Sequence, residues 1–187
     1  MDGLRYASGM VEAATALSSW QNFYVIVGSS GGALIGLQFV VVTLIADGRR
    51  RTTAGELHAF GTPTVVHFGG ALFVSGLMSA PWHSLARLSV AIGLVGIAGI
   101  AYSAVVINRA RRQRGYKPVL EDWVWYVALP ALTYAALMAA ALWLRSDEHA
   151  ALFGIAGSAL GLLVIGIHNA WDTVTHLVIS SSKRQQP

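Results

Sequence analysis

The chain has no cysteine, which excludes disulfides, thiolate metal sites and iron–sulfur clusters. Charge is scarce as well: Asp, Glu, Lys and Arg make up 12% of its 187 residues, against about a quarter in a soluble domain. Of nine acids, Asp172 alone touches an apolar segment away from an obvious loop. No Walker loop, dinucleotide fingerprint or zinc-protease motif is present. The ten-residue alternation of a transmembrane barrel is missing too. Met1-Asp2-Gly3 and the Thr/Ser/Ala mixture after it lack the basic, apolar and small-residue succession of a signal peptide. Residues 1–19 therefore read as a tail or a short surface helix. The net charge of +4 comes with no aromatic platform or recognition element, so nucleic acid is not an expected partner.

What fills the chain is hydrophobicity, 55% of residues with a mean hydropathy of +0.56. Apolar runs of roughly 20 residues imply an all-α, polytopic membrane protein whose partner is the lipid bilayer. Five spans are expected in a single transmembrane domain over 20–187, at about 20–46, 59–80, 85–107, 123–144 and 149–180. Thr53 and Glu56 form a possible capping box that starts the second helix early, ahead of Pro63. Alternatively Pro63 is its first residue, with Thr62 as the cap. The short link Pro81-Trp82-His83-Ser84 makes spans two and three an antiparallel hairpin. Pro130 inside span four requires neighbours to satisfy the carbonyl it frees.

The charges set an orientation. Arg49, Arg50 and Arg51 in the first loop, five cations from Arg109 to Lys117 in the third, and Lys183 and Arg184 in the tail share one side. Against these ten stand Arg5, Arg87 and Arg145. The positive-inside rule then places the N-terminus outside and the C-terminus in the cytoplasm, in a bacterial-type inner membrane. Trp20, Trp82 and Trp143 fall at the outer ends of spans, and Trp123, Trp125 and Trp171 at the inner ends, as interfacial tryptophans do.

Candidate functional residues concentrate near the inner ends. His168, Asp172 and His176 are i, i+4 and i+8 and share one helical face. His67 on span two lies at membrane depth, where ionisable side chains cost about 2.5–3.5 kcal/mol on insertion scales and usually line a cavity or pair up. Gln38, Thr43 and Asn108 reach the same half as possible cavity lining. Together they suggest a channel or transporter for protons or small cations, with His67, His168, Asp172 and His176 as the binding groups. An enzymatic role is the less expected one. The solvated face of an amphipathic helix end would explain the span-five residues equally well.

Small residues repeat as Gly28, Gly32 and Gly36 on span one and as Gly157 and Gly161 on span five, spacing that lets helix backbones approach. They serve packing within the bundle or a seam in a homo-oligomer. No cofactor is required, although a divalent metal could take two of the span-five donors plus another histidine.

Five spans, an outside N-terminus and histidines on spans two and five are similar to the gamma subunit of respiratory nitrate reductases. That resemblance is architectural and implies b-type haem held by axial histidines from facing helices. His58 and His67 are nine residues apart, on opposite faces at about 100° per residue. Gly28-Ser29-Ser30-Gly31 resembles the GxSG motif of rhomboid-type intramembrane proteases. Ser30 lies in the outer half, roughly 10 Å or more by helical rise from His67 and His168. An accessory subunit docked on a larger membrane complex is the third alternative.

Overall fold

In hydrocarbon a backbone N–H or C=O has no water to bond, and a chain this apolar satisfies both within helices. The computed structural model describes residues 15, 17–47, 54–112 and 120–183, and the side chains of these apart from 44–47, 54–61, 110, 112 and 176–183. Five long helices account for almost all of it. They are α1 (Gln21–Asp47), α2 (Ala54–Ser79), α3 (Leu85–Arg112), α4 (Leu120–Trp143) and α5 (Glu148–Lys183), with no strand among the described residues. Residues 1–14 and 16 of the first tail and the basic loops at 48–53 and 113–119 lie outside the described residues.

Among the described residues four of the five, α1, α3, α4 and α5, are long and apolar enough to cross a membrane, as in a multi-pass membrane protein. The expectation was five. The remaining helix, α2, has 26 residues but carries Thr64, His67 and Ser75 among its buried side chains. It runs unbroken through Pro63, consistent with the earlier of its two expected starts. Bulky apolar side chains such as Ile26, Phe39, Leu94, Leu132 and Phe153 point outward. In water this would be a large adhesive surface, whereas acyl chains accept it without cost.

Helices consecutive in the chain run antiparallel. Packing proceeds from α1 to α2, α2 to α5, α5 to α4 and α4 to α3, and α2 also touches α3. The hairpin expected of spans two and three is thus a loose one, since each packs more closely on other helices. The links are capped locally. Ser84 Oγ accepts the Ala86 N–H at 3.2 Å, the Trp82 indole donates to the Leu77 carbonyl, and Asp147 Oδ1 accepts the Ala150 N–H at 3.0 Å at the start of α5. Phe68, Ala71, Val74, Leu88, Ile92, Leu137, Ile155 and Leu162 form the core. We call the end where α1, α3 and α5 finish the basic end, after the sequence clusters beside it.

Glycine sets the helix spacing, on faces the repeats only partly predict. A Cβ on Gly28 would come 2.9 Å from Ser75 Cβ, and one on Gly31 would come 3.0 Å from the Phe68 carbonyl oxygen. Gly32 and Gly36 would meet nothing within 4 Å. The reason is rotational: strict steps of four advance about 40° past a full turn each time, so Gly36 lies about 80° round from Gly28. The buried face of α1 alternates steps of three and four through Tyr24, Val27, Gly28, Gly31 and Gln38. Both glycines of Gly28-Ser29-Ser30-Gly31 thereby serve the α1–α2 contact. On α5, Gly154 meets Ala140 and Gly161 meets Thr133, while Gly157 is open.

Gly31→Leu should destabilise the protein by about 1–3 kcal/mol through overpacking. Gly32→Leu, one residue away, should fall within about 0.5 kcal/mol. Thermal unfolding of monomeric protein in detergent checks the contrast.

Candidate functional site

Proline organises the site from a distance. Pro130 has no N–H, so the carbonyl four residues back, on Tyr126, loses its helical partner, and the ring crowds it. The backbone answers with a wider π-turn over Val124–Ala128, in which the Leu129 N–H bonds the Val124 carbonyl. Such turns add one residue and are frequent at functional positions. Here the turn sets two consecutive aromatic residues against α5. The Trp125 ring stacks on His168 with centroids 3.7 Å apart and planes 14° from parallel. The Tyr126 hydroxyl donates to Asp172 Oδ2 at 3.0 Å. His168 and Asp172, one turn apart on α5, are both half-buried.

Two turns deeper along α4 stands Tyr134, 2% exposed. Its ring lies on Gly99 of α3, where a Cβ would overlap it, and its hydroxyl lies 3.1 Å from the position a Cβ on Gly70 of α2 would take. The slot between the two glycines brings that hydroxyl 3.4 Å from His67 Nδ1. With Nδ1 unprotonated the hydroxyl donates; with Nδ1 protonated the ring does. Tyr102 of α3 meets the His67 ring edge-on at 6.5 Å. His67 is 1% exposed and enclosed by protein rather than by acyl chains.

His67 and Asp172 therefore do not form one pair. Each has its own tyrosine on α4, at 134 and 126. Between the two levels lies Asn169 of α5, fully buried, with neither amide atom hydrogen-bonded among the described residues. Its height follows from the helix contacts. Phe68 of α2 packs on Gly166 of α5. One turn nearer the basic end, the antiparallel helices carry Thr64 and Asn169 on those faces. Thr64 too is fully buried.

The other expected residues divide. Gln38 is buried on the inward face of α1. Thr43 and Asn108, expected to line a cavity with it, are exposed, and the Thr43 hydroxyl donates to the Phe39 carbonyl of its own helix. The side chains of His58 and His176 lie outside the described residues. Among the described residues no three His, Asp or Glu side chains are grouped so as to hold a metal ion. The ring neighbours of three described histidines are aromatic: His67 meets Tyr102 and Tyr134, His168 meets Trp125, and His149 meets Phe153. Sequence reasoning missed Tyr102, Tyr126, Tyr134 and Asn169. An aromatic ring passes for part of an apolar run, and its polar tip shows only once its neighbours are known.

Tyr134→Phe should cost about 1–3 kcal/mol, because it leaves a buried imidazole nitrogen without its partner. Gly99→Ala should cost a similar amount by driving a methyl into the Tyr134 ring, about 1–3 kcal/mol. Both should move the His67 ring nitrogen resonances, which nitrogen NMR of histidine-labelled protein would read.

Compared with known proteins, the chain matches no family model, no curated protein and no solved structure.

Proposed function

We propose that this is a five-span protein of a bacterial-type inner membrane that passes protons or small cations, with His67 as the deep binding group and Asp172 and His168 at the cytoplasmic mouth. The observation that carries this reading is the enclosure of His67. An ionisable ring at membrane depth is expensive to place there, about 2.5–3.5 kcal/mol for charged groups on insertion scales, and such residues mark ion or proton paths. Here protein surrounds the ring completely, and a tyrosine hydroxyl that can give or take a proton bonds it.

The composition of α2 supports a gated path rather than an open pore. From His67 toward the far end, Phe68, Ala71 and Val74 fill the next two turns, all buried. Beyond them come Ser75 and, on α1, Tyr24, whose buried hydroxyls have no partner among the described residues. Polar groups thus lie on both sides of an apolar stretch of about 10 Å. Constrictions of this kind close by excluding water. In this reading α2 crosses the membrane with the other four helices, shielded by α1 and α5. The ten cations that the sequence clusters at 49–51, 109–117 and 183–184 support a cytoplasmic C-terminus by the positive-inside rule. Open glycines at 32, 36 and 157 offer seams for a homo-oligomer.

Liposomes loaded with a pH-sensitive dye test the proposal. The wild-type protein should dissipate an imposed pH or cation gradient, and His67→Ala or Asp172→Asn should slow it by about tenfold or more, equivalent to about 1.4 kcal/mol in barrier height. Equal rates for wild type and both variants would remove the proposal.

A further inference from the structure

Buried amides without partners are rare in folded proteins, because leaving one unbonded costs most of its desolvation energy. Asn169 is such a residue, fully buried with both its Nδ2 and its Oδ1 unpaired among the described residues. Packing alone would favour leucine there, which has nearly the same shape and no polar atoms. Its position is informative. Towards the basic end, one turn along α5, is Asp172 with its Tyr126 partner. Towards the membrane interior, on the opposing α2, is His67 with its Tyr134 partner. The two tyrosines are eight residues apart on α4, too far for one pair to hand a proton directly to the other.

The geometry points to Asn169 as the anchor of a hydrated relay site that joins the Tyr126–Asp172 pair to the His67–Tyr134 pair. It rests on the proton-path reading above and gives that path its missing middle. Water is the occupant whose chemistry fits, since an amide offers two donors and an acceptor, and a buried water wants two to four such partners. Asn169 neither gains nor loses a proton. Its amide orients water so that a proton leaving the Asp172 carboxyl enters the wire as another leaves it for the His67 ring. The result is a carboxylate at the mouth and an imidazolium inside. The receiving nitrogen is Nε2, in the tautomer whose Nδ1 carries the hydrogen and donates it to the Tyr134 hydroxyl. Asn169 is thus a positioning residue, and the site should admit protons more readily than ions that must shed their water.

The test uses the full chain in lipid nanodiscs with nitrogen-labelled histidine, reading exchange of the His67 ring N–H with bulk water, alongside proton flux in liposomes. Asn169→Leu should slow the exchange by about tenfold, the scale of one lost hydrogen bond. Asn169→Ser, which keeps a hydroxyl, should restore most of it. Unchanged exchange in Asn169→Leu, with a raised melting temperature, would mean a dry unpaired amide and would overturn the inference. If Asn169→Leu does not fold, the comparison of Asn169→Ser with Asn169→Ala decides by the same criterion. Exchange that depends on Asn169 in a protein showing no flux would refute the transport reading and leave the relay standing. Flux that depends on His67 with exchange indifferent to Asn169 would do the reverse.

Discussion

A backbone polar group inside a bilayer has no bulk solvent to fall back on, so the protein must satisfy it internally. This condition governs the molecule at each level. It forces the backbone into helices, and at Pro130 it forces a wider turn when one hydrogen bond is removed. It also explains why α4 carries tyrosines where α5 and α2 carry an acid and a histidine. Side-chain pairing is the consequence of burying these groups, and helix spacing is the means. Gly70 and Gly99 make room for the ring that reaches His67.

The arrangement also separates two environments. Asp172 and His168 are half-buried near the end of the bundle, each engaged by one residue of the same turn of α4. His67 is sealed. Trp125 stacks on His168 and fixes the imidazole plane through apolar contact. The neighbouring carboxylate is fixed by a hydrogen bond. His168 and Asp172 are therefore each held by a neighbour on α4, although they are less buried than His67.

Much of this was legible in the residues themselves. Long apolar runs, the loop-bound charges and the links at 81–84 and 145–148 define the helices, because hydrophobicity and turn chemistry are local properties. The shared face of His168 and Asp172 was legible for the same reason: helical rotation per residue is a fixed number. What the chain order concealed was partnership. Nothing local says that Tyr134 rather than Tyr126 meets His67, or that the α1 seam passes through Gly31 rather than Gly32. Those facts depend on the rotation of each helix about its own axis, to which a few tens of degrees are decisive. Asn169 was hidden differently, being an unremarkable neighbour of a histidine until its burial and lack of partners are known together.

The π-turn at Val124–Ala128 gives the two tyrosines of α4 different mechanical standing. It holds one residue more than an α-turn, so reverting to regular winding would swing everything before it by about 100° around the axis. Trp125 and Tyr126 would leave α5, whereas Tyr134, beyond Pro130 and wedged between glycines, would stay where it is.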